Sequence, residues 1–178
     1  MSSEPVRIVP RLVERIWGRI DLGDWVDGSA QTGCDPVGEA WLTDRSCEIE
    51  GGGTLGDLID GDRAGTLGGT PGSAPVLAKL LFTAAPLSVQ VHPTDAAARS
   101  SGVAAFGKNE AWHVLEAASD STVWVGFKAP ITPERLRAAA ANGVVLPLLR
   151  SRLVHVGDTV QVRAGMVGRK GQPCENVR

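Results

Sequence analysis

Apolar and polar positions alternate most cleanly over residues 85–93, Ala-Pro-Leu-Ser-Val-Gln-Val-His-Pro. In an extended chain, neighbouring side chains point to opposite faces, so Ser88, Gln90 and His92 share one face and Leu87, Val89 and Val91 the other. The run before it, Val76 to Phe82, is apolar on both faces and predicts a strand central to a sheet. Upstream, Arg7 to Ile16 alternates loosely around Pro10, which suits an edge strand, and Trp17-Gly18 is expected to close it with a turn. Glu39 to Glu50 reads as an interrupted strand ending at Gly51-Gly52-Gly53. Downstream, Glu110 to Ala117 and Ser121 to Phe127 read as a hairpin, with Glu110, Trp112 and Val114 on one face. Leu153 to Val162 returns to strand around a turn at Gly157-Asp158.

Helices are signalled by their ends. Thr54 with Asp57 three residues on is a capping pair for a short helix over Leu55 to Ile59, and Thr94 or Asp95 caps another through Arg99. The clearest starts at Thr132, with Pro133 at the first position, Glu134 at the positive end and Asn142-Gly143 as a left-handed stop. Residues 27–38 and 65–74, rich in Gly, Ser and Pro, are expected loops.

Composition narrows the class. The 178 residues are 43% hydrophobic and 21% charged, ordinary for a globular chain with one good core. A net charge of −2 supplies no basic surface, so neither nucleic acid nor an anionic membrane is an expected partner. Cys34, Cys47 and Cys174 are odd in number and lack paired spacing, which predicts a reducing, cytoplasmic setting. No run is long enough to cross a bilayer, and the N-terminus lacks a signal-peptide core.

The polar strand face carries the chemistry. A carboxamide and an imidazole two residues apart, with Glu110 on a later strand, offer oxygen and nitrogen donors of the kind zinc takes. The same residues also have plain readings, His92 bonding a turn and Glu110 as a solvated strand end. The segments Leu-Ser-Val-Gln-Val-His-Pro (87–93) and Gly-Lys-Asn-Glu-Ala-Trp (107–112) resemble the zinc-dependent type I mannose-6-phosphate isomerases. Glu14-Arg15-Ile16-Trp17-Gly18, Gly38-Glu39-Ala40-Trp41 and Pro75 to Leu81 follow the same family in order. The resemblance spans about Arg11 to Gly165. It implies a mainly β, cupin-like jelly roll with a short helical insertion, incomplete at its C-terminal side.

The resemblance further implies Zn2+ as cofactor on Gln90, His92 and Glu110, and a sugar phosphate as ligand. Lys108 would be the catalytic and substrate-binding ammonium, stabilising charge that develops during enolisation. Ser88 would contact the phosphate and Trp17 would line the sugar site; a strand hydroxyl and a core or lid indole are the plain alternatives. The implied reaction interconverts mannose 6-phosphate and fructose 6-phosphate. No residue is assigned as the base.

The pattern departs near the end. Gly157 to Val167 follows the family's next signature, but Gly168 stands where the resemblance implies its histidine, the fourth zinc ligand. The chain therefore divides into an isomerase-like domain over residues 1–165 and a divergent tail over 166–178, as a frameshift or early stop near Met166 would leave. Activity in isolation is expected to be absent or very weak, with self-association through exposed strand edges. The alternative function is a non-catalytic cupin remnant or sugar-phosphate-binding protein. An iron-dependent cupin oxygenase fits less well, lacking a nearby histidine pair.

Overall fold

The computed structural model describes residues 5–26, 35–68, 76–102, 104 and 106–171. Its contacts divide the chain into two units, Met1–Phe82 and Thr83–Arg178. The chain is mainly β, as the alternation of its apolar positions predicts.

In the first unit, β1 (Arg11–Arg19), β2 (Val37–Trp41) and β3 (Lys79–Leu81) form an antiparallel sheet in that order. Register is set by Arg11 opposite Trp41 and Glu39 opposite Leu81. Leu22, Val26, Val37, Ala40 and Phe82 form its buried core, with Leu12 and Leu80 packed against it. β1 is an edge strand as expected, but it runs on through Trp17 and Gly18, bulging around Val37, instead of turning there. Only glycine fits at 18, since a Cβ would run into the Val37 carbonyl carbon. β3 lies at the other edge of this sheet, not at its centre: its three residues are only half-buried.

Between β2 and β3 lie α1 (Leu55–Gly61) and α2 (Arg63–Leu67). The Thr54 hydroxyl accepts from the Asp57 amide at 3.1 Å, and the Asp57 carboxylate accepts from the Thr54 amide at 2.9 Å. This reciprocal cap satisfies amides that a helix start would otherwise leave open. α2 occupies the start of the expected loop 65–74; residues 69–75 of that loop, and 27–34 of the earlier one, lie outside the described residues.

The second unit holds two sheets. One is four-stranded, ordered β4 (Gln90–Val91), β9 (Val167–Lys170), β6 (Thr122–Phe127), β7 (Leu149–Leu153). The other pairs β5 (Glu110–His113) with β8 (Thr159–Val162). The hairpin expected between β5 and β6 does not form. The turn at Ala118–Ser121 steps from one sheet to the other, so β6 gains β9 and β7 on its two edges and buries Val123. A strand flanked on both sides satisfies its whole backbone, which a lone hairpin cannot do. α3 (Asp95–Ser101) follows β4, and α4 (Pro133–Ala141) joins β6 to β7, each capped by the expected threonine, Thr94 or Thr132. Residues 167–170, within the segment read as a divergent tail, are the inner strand β9; Gln172 onward lies outside the described residues.

Candidate functional site

His92 is fixed before its side chain acts. Its amide donates to the Met166 carbonyl at 2.9 Å, and its own carbonyl accepts from Gly165 at 2.7 Å. The segment leading into β5 is tied to the same region: the Lys108 amide donates to the Pro93 carbonyl at 3.0 Å, and the Gly107 amide to the Asp95 carboxylate at 2.7 Å. The Asn109 side-chain oxygen accepts from the Ala164 amide at 2.9 Å. Five backbone-anchored contacts thus hold 92, 107–109 and 164–166 together, with little dependence on long side chains.

Three side chains meet on this frame. His92 Nε2 lies 3.3 Å from Glu110 Oε2, and Lys108 Nζ lies 3.3 Å from the same oxygen. His92 is 2% exposed; the Val162 and Lys108 backbones act on its ring, while Nδ1 reaches no partner in full hydrogen-bond geometry. Burial, followed by the Lys108 charge, lowers the imidazole pKa from its ordinary 6.5 against the pull of Glu110, so the ring is neutral at pH 7. Burial by itself would raise the Glu110 pKa. Trp112, Lys170 and Lys108 outweigh it and hold the carboxyl below its ordinary value. The Trp112 indole N–H acts on Glu110 at close range while falling short of hydrogen-bond geometry.

Ser88 and Gln90 form a separate exposed pair, the Gln90 amide nitrogen donating to Ser88 Oγ at 3.4 Å. Gln90 and Gly168 are register partners on β4 and β9, so their side-chain directions share a face. Trp17 belongs to the first unit, half-buried on β1 over Gly38. The other two histidines are engaged elsewhere, His113 Nδ1 with Thr159 Oγ1 at 2.9 Å and His155 with Asp158 at 3.7 Å.

Two donors about 2.0–2.1 Å from a tetrahedral zinc ion lie about 3.3 Å apart, which is the His92–Glu110 separation. The described residues contain no group of three His, Cys, Asp or Glu placed to hold a metal ion; the third donor that the resemblance implies is the Gln90 amide oxygen. His92 and Glu110 are thus two donors at a zinc-ligand separation, while the Gln90 side chain is exposed and paired with Ser88.

The sequence reading passed over Lys170, whose ammonium lies 4.6 Å from the centre of the Trp112 ring. It also passed over Asn109, the tie to Ala164. Alternation does put Trp112 on the face of Glu110, but the pairing of β9 that delivers Lys170 spans too long a stretch of chain to read locally.

No protein-family model matches the chain. Along 97% of its length it is 33% identical to the mannose-6-phosphate isomerase ManA of Bacillus subtilis strain 168. The chain is similar to mannose-6-phosphate isomerases along nearly its whole length. It spans about half the length of the curated relatives it matches, 56% in the case of ManA. The crystal structure of the Bacillus subtilis mannose 6-phosphate isomerase superimposes with a TM-score of 0.79 at 25% identity, covering 95% of this chain and 55% of that one. A mannose 6-phosphate isomerase solved with zinc and yttrium shares the fold, with a TM-score of 0.71 at 17% identity over 94% of this chain and 66% of that one. Among the described residues no helix is long and apolar enough to cross a membrane.

Proposed function

We propose that this chain carries the metal-binding and sugar-phosphate-binding chemistry of a zinc-dependent aldose–ketose isomerase acting on mannose 6-phosphate and fructose 6-phosphate. The observation that carries the reading is the convergence of His92 Nε2 and Lys108 Nζ, each 3.3 Å away, on one oxygen of Glu110. Gln90, His92 and Glu110 would hold zinc, which when bound supplies Lewis-acid polarisation of substrate oxygens. The conversion moves a proton between C2 and C1, and another between the two oxygens, through a cis-enediol.

The protein's own share is positioning and charge. Lys108 is 43% exposed at its side chain, so its ammonium can reach a bound anion while staying beside Glu110. There it stabilises negative charge on the enediolate. Ser88, exposed beside Gln90, is a phosphate contact in this reading. The unpaired buried thiol of Cys47 supports a cytoplasmic setting. Exposed Ile16, Val76, Phe106 and Val156 support self-association.

Gly168, in register with Gln90, favours a second reading in which sugar phosphate is bound without appreciable turnover. Zinc titration calorimetry, then a mannose 6-phosphate titration of the zinc-loaded chain and a coupled assay for fructose 6-phosphate, separates the two. Zinc binding abolished by His92→Ala, with sugar-phosphate binding and at most weak turnover, is the expected result. Binding with no turnover at all selects the second reading, and failure to bind either zinc or sugar phosphate overturns both.

A further inference from the structure

Gly168 and Lys170 are two residues apart on β9 and so share a face. That face is turned toward β5. A Cβ at Gly168 would lie 3.3 Å from Trp112 Cη2, and the Lys170 ammonium sits 4.6 Å from the centre of the same ring. Trp112 in turn shares its strand face with Glu110, and Lys170 favours the charged form of that carboxyl. Glu110 already has the Lys108 ammonium 3.3 Å from Oε2. Two ammonium groups therefore act on one carboxylate, Lys108 from the segment before β5 and Lys170 from β9, on the wall where a metal would use it as a donor.

We propose that Lys170 is a built-in electrostatic competitor of the divalent metal ion, its ammonium held over Trp112 so that metal entering at Glu110 meets a fixed positive charge. The inference rests on Gln90, His92 and Glu110 being the metal donors. An ammonium stabilises the carboxylate in the metal-free protein and repels a dication in the loaded one, so both effects lower metal affinity. In a half-solvated site the combined penalty is roughly tenfold, and salt screens it. The site is thereby set to take metal up and release it instead of retaining it.

The test is zinc titration calorimetry on the whole chain, comparing the unmodified protein with Lys170→Met and Lys170→Arg at low and at high salt. Methionine keeps a long, polarisable side chain against the Trp112 ring and removes the charge; arginine keeps the charge. Lys170→Met is expected to bind zinc about tenfold more tightly, with the gain shrinking at high salt, and Lys170→Arg to match the unmodified protein. His92→Ala should abolish the signal, assigning it to this site. If Lys170→Met fails to fold by circular dichroism, Lys170→Gln replaces it. Equal or weaker binding by the neutral variant, with the His92-dependent signal present, overturns the role of Lys170 alone. No zinc binding by any form overturns the donor assignment and this inference with it.

Discussion

Placing an imidazole at position 168 tests the proposed metal site. Gly168 is buried on an inner strand, its register partners are Gln90 on β4 and Val125 on β6, and its backbone is not in the left-handed region, so an L-residue is permitted there. A new Cβ would meet Trp112 Cη2 at 3.3 Å, Val162 Cγ1 at 3.5 Å and the Trp124 carbonyl oxygen at 3.8 Å. Only the first is tight, and an indole edge can yield a few tenths of an ångström. Overpacking should therefore cost the metal-free Gly168→His protein about 1–2 kcal/mol. Against that, a fourth donor on the Gln90 face should tighten zinc by about 10- to 100-fold, or about 1.4–2.7 kcal/mol. Urea denaturation should show a lowered midpoint without zinc and recovery with it, since a ligand at about 100 times its dissociation constant stabilises the folded state by about 2.7 kcal/mol. Calorimetry gives the affinity directly. Unchanged zinc affinity in a folded variant would refute the reasoning, because it would mean that the face shared by 90 and 168 is not the metal-binding face.

Two further outcomes are expected. Glu39→Gln should destabilise the protein by about 2 kcal/mol in urea, because Lys79 Nζ at 3.2 Å and Arg15 at 3.5 Å lose the charge they face while Trp41 Nε1 at 2.7 Å keeps an acceptor; a loss under about 0.5 kcal/mol would contradict the buried pairing. In metal-free protein, stability should fall in two stages on acidification: from about pH 6.5, where the unfolded imidazole takes a proton that His92 resists, and again below about 4.5, as Glu39 and Glu110 protonate through their lowered folded pKa values. Urea midpoints from acid pH, well below the ordinary carboxyl range, up to neutrality check this, and a rise in stability on acidification from neutrality through the ordinary imidazole range would reverse the sign assigned to His92.

What could be read from the chain is what is local. The three threonine caps at 54, 94 and 132 depend on a side chain reaching an amide three residues on, and all three form. The face shared by Glu110 and Trp112 follows from alternation, and the motif around His92 and Lys108 drew attention to residues that do meet. The failures are failures of pairing. Ser121 to Phe127 looks like the second arm of a hairpin because nothing in the chain marks the turn before it as a crossing between sheets. β9 escapes notice because Val-Gly-Arg-Lys has almost no strand signal of its own, and its place is fixed by β4 and β6, far away in the chain. Lys79 meets Glu39 across forty residues for the same reason.

The two Glu-Ala-Trp triplets, at 39–41 and 110–112, show how one local pattern yields two different sites. Both lie on strands, so alternation puts the indole on the carboxylate's face in each, and in each two cations attend the glutamate. In β2 the shell closes: Trp41 Nε1 donates to Glu39 at 2.7 Å, Lys79 and Arg15 complete the set, and Glu39 is 7% exposed. In β5 it stays open. Trp112 Nε1 and His92 Nδ1 reach no partner in full hydrogen-bond geometry, and one Glu110 oxygen is shared between an imidazole and an ammonium. A buried polar group left without its partner costs free energy, so it persists where something else is gained or where a further ligand completes it. The closed triplet therefore has the character of a structural centre, whose loss is felt in folding, and the open one is where the binding centre is proposed.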